Sequence, residues 1–570
     1  MRATRRPGLA ASCLAVLALA LPLRAAAPAA PALPPGAEAA AQAIHQGALE
    51  APVRFLASDA LEGRAPATRG DQLARLYLEN ELRSLGLTPG GPNSSWQQRF
   101  PIVGIDAEMP PVWSFSAGGK TVDWKRRDDY IAASGVQRDT AALDNAELVF
   151  VGYGIQAPEY RWDDFKGMDL AGKVLVVLNN DPDWDEQLFA GKRRLYYGRW
   201  DYKYESAARQ RAAGAIIVHT GPSAGYPWQV VQTSWSGQQF ELPAGGEPRL
   251  QVSSWATEEA TRRLLAAAGQ DLDQLIAQAK SRDFRPVPLG IRTTLTLHSK
   301  ITQAETGNVL GLLRGGDPKL ASQVVIYSAH HDHLGIGEPD ATGDRIYNGA
   351  EDNAAGCAQL LAIARAYAAL PQRPRRSILF AFVAAEEQGL LGSGYYAKNP
   401  TFPPGDIAAD INYDGGNIWG RTSDLTYIGL GKSSLDDVVR GFAAVQGREV
   451  YPDQFPDRGF FYRSDQFNFA KIGVPSIYLD TGTRFRGKPD DWGRQIQDKW
   501  EEVQYHQPSD QIDDSWNFDG MIEDARLGFF AGLAIANADR LPAWNPGDEF
   551  EAARKAALAA VASAPKPAGR

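Results

Sequence analysis

The stretch from about residue 305 to residue 480 most restricts the fold, because apolar runs of strand length alternate there with a helix and polar loops. Strands are predicted at 323–328, 377–383, 407–413 and 474–479, with a helix over 354–370 that Pro371 ends. Largely apolar strands that alternate with helices are typical of a parallel sheet buried on both faces. The sequence therefore predicts an α/β fold, with a mostly parallel mixed sheet covered by helices on both faces.

The N-terminal residues have the pattern of a secretory signal. Three arginines within the first six residues precede an apolar stretch at 14–23, and small residues follow at 25–27. A membrane anchor is the alternative, but this stretch is shorter than the ~20 apolar residues that cross a bilayer. We expect 1–27 to be a signal peptide, an exported protein (periplasmic or extracellular), and no transmembrane segment after cleavage. Cys13 lies in the signal, so Cys357 has no partner for an intramolecular disulfide.

Charge and composition exclude two classes of protein. The 570 residues include 59 Lys and Arg against 68 Asp and Glu, for a net charge of −9, and 44% are hydrophobic. That balance is ordinary for a globular protein and argues against intrinsic disorder. Nucleic-acid binding is not expected, because acids outnumber bases and no run of Lys and Arg exceeds three residues.

Histidines are rare and clustered. Of seven in the chain, His330, His331 and His333 fall within four residues, directly after the first predicted strand. A histidine two residues before an aspartate, here Asp332, is common in metal sites, where the carboxylate orients an imidazole. A solvated polar loop is the alternative that this cluster leaves open.

Pairs of acids follow two further elements. Glu351 and Asp352 come at the start of the predicted helix, where the helix dipole favours acids without any function. Glu386 and Glu387 directly follow a buried strand, where like charges repel unless a cation or a shared proton compensates them. Their adjacency suggests that one binds a metal and the other is a general base.

Asp414, after the third strand, and the isolated His506 complete a set of two imidazoles and three carboxylates. Such a set without a thiolate suits zinc, with Mn²⁺ or Co²⁺ as substitutes. Five ligands exceed the three that one open catalytic zinc needs. Two ions about 3.5–4 Å apart, bridged by a carboxylate and a water, fit this count.

These motifs, in this order, resemble the co-catalytic di-zinc aminopeptidase family, which contains bacterial leucyl aminopeptidases and is related to glutamate carboxypeptidase. The resemblance extends from about 55 to 537 and includes the stretches 55–64 and 461–467. The region 130–298 looks like the protease-associated (PA) domain that many members carry.

The resemblance implies a role for each position. His330 and Asp414 would bind one zinc ion, Glu387 and His506 would bind the other, and Asp352 would bridge the two.

Further roles follow from the same resemblance. Glu386 would be the general base, and Asp332 would support His330 without binding metal. His331 and His333 would then not be ligands. Family members often have a cis peptide after the bridging aspartate, here between Asp352 and Asn353.

The implied activity is that of a secreted metallo-aminopeptidase, a hydrolase that removes N-terminal residues from peptides with two zinc ions per chain. A carboxypeptidase or dipeptidase on the same centre is the first alternative, and Arg463, Arg484 and Arg486 are available to bind a substrate carboxylate. A non-catalytic binding ectodomain is the second, although such proteins should have lost metal ligands. The preferred N-terminal residue and the oligomeric state stay open.

The implied domain order divides the chain into six segments. They are a signal peptide (1–27), a linker (28–43), a first peptidase part (44–129), a PA-like inserted domain (130–298), a second peptidase part with the metal site (299–545) and a C-terminal tail (546–570). The insert either covers part of the cleft and limits substrate length, or only adds stability and solubility.

Overall fold

A computed structural model describes residues 28–235 and 237–563; the predicted signal peptide lies outside the described residues. The helices are α1 Ala37–Ala41, α2 Gln46–Leu56, α3 Arg69–Ser84, α4 Trp200–Arg209, α5 Gly221–Ala224, α6 Trp228–Ser234, α7 Glu258–Ala267, α8 Leu272–Ala279, α9 Gly356–Ala368, α10 Leu391–Lys398, α11 Leu435–Val445, α12 Gln466–Lys471, α13 Trp492–Val503, α14 Asp519–Asn537 and α15 Glu551–Ser563. Across these ranges, no helix combines the length and the apolar character that crossing a membrane requires.

The strands belong mostly to one extended sheet. They are β1 Thr88–Pro89, β2 Gln97–Glu108, β3 Val112–Ala117, β4 Lys120–Lys125, β5 Tyr130–Ser134, β6 Thr140–Phe150, β7 Gln156–Ala157, β8 Trp162–Asp163, β9 Val174–Leu178, β10 Gly214–His219, β11 Gln239–Glu241, β12 Val252–Thr257, β13 Val287–Leu313, β14 Val324–His330, β15 Gly335–Ile336, β16 Ile346–Tyr347, β17 Ser377–Val383, β18 Ile407–Asn412, β19 Asp424–Ile428, β20 Glu449–Pro452 and β21 Ser476–Asp480.

Four parallel strands form the centre of the α/β unit, in the order β17–β14–β18–β21. Antiparallel strands flank them: β13 pairs with β17, and β19 pairs with β21. This is the mostly parallel mixed sheet that the apolar runs predict, and the expected fold class is confirmed.

Alternate side chains of β14 pack into two different hydrophobic clusters, one on each face of the sheet, so the sheet is buried on both faces. Val325 and Tyr327 pack with helices α2, α9 and α14 on one face, whereas Val324 and Ile326 pack near α10 and α12 on the other. A parallel strand covered on both sides has no polar face to expose, which explains its continuous apolar sequence.

The segment 112–298, which we call the inserted layer because it contains the predicted insert, has a second parallel arrangement, β6–β9–β10–β12, which antiparallel β5 extends. Strand β13 joins the two units: its first half pairs with β6, and its last residues pair with β17. Strands β3 and β4 belong to the inserted layer, because Trp113 and Trp124 lie in its core. The layer therefore begins before the predicted boundary at 130.

Two terminal segments are more ordered than their composition suggests. Helix α1 lies within the predicted linker 28–43, and its alanines Ala37 and Ala41 are buried against the main core. Helix α15 lies within the predicted tail 546–570, and Arg554 on it is buried and donates to the carbonyl oxygen of Ile407.

Candidate metal centre and active site

The predicted site residues converge at one edge of the sheet. His330 is the last residue of β14, Glu386 and Glu387 follow β17, and Asp414 follows β18. Because parallel strands end at the same edge, one topological feature brings these four side chains together.

Asp352 reaches the same edge on a distorted helical turn, Ala350–Ala355, that precedes α9. Its peptide bond to Asn353 is cis, as the resemblance implies. The buried carboxylate of Asp510 accepts hydrogen bonds from the backbone N–H groups of Glu351 (2.9 Å) and Asp352 (3.1 Å). This contact fixes the start of the turn against the loop that carries His506.

The two oxygens of Asp352 face different imidazoles. Oδ1 lies 3.2 Å from Nε2 of His330, and Oδ2 lies 3.2 Å from Nε2 of His506. Each imidazole also meets a second acid: His330 Nε2 is 3.1 Å from Asp414 Oδ1, and His506 Nε2 is 3.1 Å from Glu387 Oε2. The five predicted ligands thus form two groups that share Asp352.

This arrangement fits a pair of divalent cations. Ligand atoms at the corners of a tetrahedral zinc site lie about 3.3 Å apart, given bond lengths near 2.0–2.1 Å. The separations of 3.1–3.2 Å between neighbouring nitrogen and oxygen atoms match that edge on both sides of Asp352. The donors are imidazoles and carboxylates, which are ligands that zinc accepts.

Glu386 lies beside this set: its Oε2 is 3.9 Å from His330 Nε2. Asp332 positions it, because its carboxylate accepts the backbone N–H groups of Glu386 (3.0 Å) and Glu387 (3.4 Å). The Asp332 carboxylate also lies 3.8 Å from Nδ1 of His330. Asp332 therefore holds Glu386 and Glu387, which follow β17, close to the loop that contains the three clustered histidines.

The electrostatics of the site separate the two adjacent glutamates. Burial raises the pKa of Glu386 well above its usual range, and Asp414 and Glu387 add to this effect although His330 opposes it. Burial also acts to raise the pKa of Glu387, but His506 and His333 together outweigh it and lower that pKa to about 2. A carboxylate with a raised pKa suits proton transfer, and a strongly ionised one suits cation binding.

The other two histidines of the cluster differ in environment. His331 is buried, with Nε2 3.1 Å from Asp71 Oδ1, in a network that includes Arg75. His333 comes close to the metal ligands, with Nδ1 2.6 Å from Glu387 Oε1. His333 contacts one acid of the set within ion-pair distance, whereas His506 contacts two, but ligand atoms of His333, Asp352 and Glu387 also lie within 4.8 Å of one another. The interpretation of His333 as a non-ligand stays a prediction.

Arg64 supports the site in a way that sequence reasoning did not identify, although it lies in the quoted stretch 55–64. Its fully buried guanidinium donates to the carbonyl oxygens of His331 (2.8 Å), Asn348 (2.6 Å) and Gly349 (2.9 Å). It thereby ties the histidine loop to the segment that leads into Asp352. A single arginine between small residues does not indicate, from the sequence alone, that its side chain will bind distant backbone carbonyl groups.

The inserted layer forms the opposite wall of the cleft. A cavity of about 920 Å³ is bounded by Glu386 and His506 on one side and by Trp200, Tyr226 and Trp235 on the other. The site thus opens into a space that both units enclose.

A smaller cavity of about 170 Å³ lies on the other side of the acids, where Asp352, Asp414 and Tyr478 contribute to its lining. Arg463 and Tyr505 border both cavities.

Arg463 is the one of the three candidate arginines that borders these cavities. Its guanidinium lies between the rings of Tyr226 and Phe460, and Nη1 is buried without a hydrogen-bond partner. Arg484 instead pairs with Glu449 at 3.5 Å, and Arg486 donates to a backbone carbonyl.

Comparison with known proteins gives partial matches to curated relatives. Leupeptin-inactivating enzyme 1 of Streptomyces exfoliatus is 26% identical over 205 residues, which cover 35% of this chain and 42% of that protein. Probable leucine aminopeptidase 2 of Arthroderma benhamiae is 25% identical over 296 residues, half of each chain. The chain thus spans half or less of the length of these relatives.

Among solved structures, the aminopeptidase from Aneurinibacillus sp. strain AM-1 matches with a TM-score of 0.52 and 18% identity, over 87% of this chain and 95% of that one. This likeness concerns the fold. Residues 308–529 match the family model of peptidase family M28, and this segment contains every predicted metal ligand. The match to peptidase family M28 thus covers the part of the chain that carries the candidate metal centre.

Proposed function

We propose that the protein is a zinc-dependent exopeptidase, an aminopeptidase that hydrolyses the N-terminal residue from peptides. The observation that carries the proposal is the shared position of Asp352 between two imidazole–carboxylate pairs at separations of 3.1–3.2 Å. His330 and Asp414 would hold one zinc ion, and Glu387 and His506 would hold the other. When bound, the ions would polarise the scissile carbonyl and acidify a water molecule.

The chain's own residues supply the proton transfers. Glu386 takes a proton from the attacking water and delivers it to the leaving amine, for which its raised pKa is suited. Asp332 keeps Glu386 in place through the backbone hydrogen bond at 3.0 Å. The carboxylates of the site give a free α-amine of the substrate a favourable environment, which is the basis for the preference for N-termini.

A dipeptidase or carboxypeptidase activity is the second candidate, and Arg463 favours it. A buried guanidinium nitrogen without a partner is costly, and a substrate carboxylate satisfies it with a charge-assisted hydrogen bond. Free dipeptides present both an amine and a carboxylate, so they are the substrates for which the two candidate functions overlap.

The inserted layer has a proposed role in the same reaction. We propose that it is a PA-like domain that covers the cleft and limits substrate length, because Tyr226 and Trp235 bound the larger cavity opposite Glu386. Export, to the periplasm or outside the cell, is likewise a proposal that rests on the N-terminal pattern.

The proposal is tested on the purified full chain with a panel of substrates, each assayed with and without a chelator. We expect amino-acid p-nitroanilides to be hydrolysed, two zinc ions per chain to be present, and activity to vanish on chelation and to return with zinc. N-blocked dipeptides separate the candidates, since only a carboxypeptidase cleaves them. Zinc-independent hydrolysis, or a chain that binds no zinc, would overturn the proposal.

A further inference from the structure

Helix α6 of the inserted layer touches the candidate metal centre directly. Ser234, the last residue of α6, places its Oγ 2.7 Å from Nδ1 of His506. These residues lie 272 positions apart, in different units of the fold. The contact links the insert to a proposed zinc ligand and not merely to the wall of the cleft.

The chemistry of the imidazole determines which group is the donor in the hydrogen bond between His506 and Ser234. Nε2 of His506 faces Asp352 and Glu387, at 3.2 and 3.1 Å, so it is the nitrogen available to a metal ion. A neutral imidazole that binds through Nε2 carries its proton on Nδ1. Nδ1–H then donates to Ser234 Oγ, and this bond selects the tautomer and the ring orientation that ligation needs.

The position of Ser234 is further constrained by two hydrogen bonds at the start of its helix. Gln229 on α6 donates to the carbonyl oxygen of Glu502 at 3.1 Å, close in sequence to His506. Trp228 donates to the carbonyl oxygen of Arg127 at 2.6 Å, within the inserted layer. Helix α6 is therefore anchored on both units, and its last residue has a defined place.

Aromatic neighbours confine the other sides of the His506 ring. Tyr505 lies with its ring centroid 4.0 Å away, and the ring of His333 meets it nearly edge-on at 5.6 Å. Packing restricts the ring plane, but a ring flipped by 180° would occupy nearly the same volume. A hydrogen bond from Nδ1 to Ser234 distinguishes the two orientations.

We infer that Ser234 is a positioning residue for His506, so that the inserted layer completes one half of the metal centre. This inference rests on the proposed function, in which His506 binds zinc. It assigns the insert a role beyond covering the cleft: zinc affinity on the Glu387–His506 side depends on the docking of α6. Hydrogen-bond partners of metal-binding histidines typically contribute about 10–100-fold to metal affinity.

The test is a zinc titration of the metal-stripped full chain against a chromophoric chelator, for Ser234→Ala, Ser234→Thr and Thr233→Ala. Thr233 is the matched control, because its hydroxyl bonds to the carbonyl oxygen of Gln229 within α6. We expect Ser234→Ala to weaken one of the two sites by about 10–100-fold while the other keeps its affinity. Ser234→Thr restores the affinity, and Thr233→Ala leaves both sites unchanged.

Four outcomes count against the inference. If the wild type binds two zinc ions and Ser234→Ala binds them as tightly, Ser234 does not position His506 and only this inference falls. If Thr233→Ala weakens zinc binding as much as Ser234→Ala does, the effect comes from the fold of the insert and the inference is overturned. The same holds if Ser234→Ala lowers the unfolding temperature and weakens both sites equally. A wild type that binds no zinc overturns the proposed function, and the inference with it.

Discussion

Two buried histidines, one at the candidate metal centre and one in the inserted layer, have opposite electrostatics. Burial acts to lower the pKa of both. At His506 the carboxylates of Glu387 and Asp352 outweigh burial and raise the pKa to about 10. At His219, in the inserted layer, burial prevails and lowers the pKa to about 4, although the carbonyl oxygen of Tyr226 accepts a hydrogen bond from the ring.

The difference shows what distinguishes the site from an ordinary core. His219 is surrounded by aromatic rings, those of Tyr226, Trp228 and Trp255, and stays neutral as a structural residue. At the sheet edge, several acids are buried together, and their charge requires imidazoles or cations nearby. Several carboxylates grouped around each imidazole are therefore the feature that separates the candidate metal centre from the surroundings of His219.

The largest effect is expected at Glu386, the acid that we propose as the general base. Glu386→Gln would remove the proposed base but none of the proposed metal ligands, so we expect kcat to fall roughly 10²–10⁴-fold while zinc binding is unchanged. Glu247→Gln, at an exposed residue across the same cavity, is the matched control and should keep activity. Activity assays with parallel zinc analysis check this; full activity of Glu386→Gln would refute the assignment.

The second prediction concerns the support of the site. Arg64→Met leaves at least three buried carbonyl oxygens without their donor, at about 1–3 kcal/mol each, and we expect the free energy of unfolding to drop by about 4 kcal/mol. Arg54→Met is the control: it removes an exposed Arg54–Glu50 pair worth about 0–1 kcal/mol. Urea unfolding measures both. Equal losses would mean that the hydrogen bonds of Arg64 contribute nothing specific.

The smallest effect concerns the histidine of the insert. Because the folded pKa of His219 is lowered from 6.5 to about 4, the unfolded chain binds its proton first as the pH falls. The free energy of unfolding therefore keeps the full contribution of neutral His219 above pH 6.5. It falls by a total of about 3 kcal/mol as the pH drops from 6.5 to 4. His219→Gln should flatten the pH dependence of unfolding in that window. An unchanged slope would show that His219 is not the residue that titrates there.

Much of the central sheet could be predicted from the sequence. The strand predicted at 377–383 is Ser377–Val383, and the one predicted at 407–413 is Ile407–Asn412. Apolar runs of that length, which are separated by turns and helices, are typical of strands buried on both faces of a sheet. The predicted helix 354–370 begins only at Gly356, because the preceding residues form the distorted turn that carries Asp352.

Long-range partners could not be predicted in the same way. The single strand Val287–Leu313 crosses the predicted boundary at 298, since its pairing partners β6 and β17 come from different units. Arg64, Ser234 and Arg463 carry no local pattern, because their roles arise from contacts with backbone or side chains far along the chain.

The sequence by itself determined which residue types are available for chemistry and on which strand ends they stand, because periodicity and chain order are local properties. Only the tertiary structure decided that Asp352 lies between two imidazoles and that α6 of the insert reaches one of them. Those distances depend on how loops and units far apart in the chain pack together, and no short stretch of sequence encodes such packing.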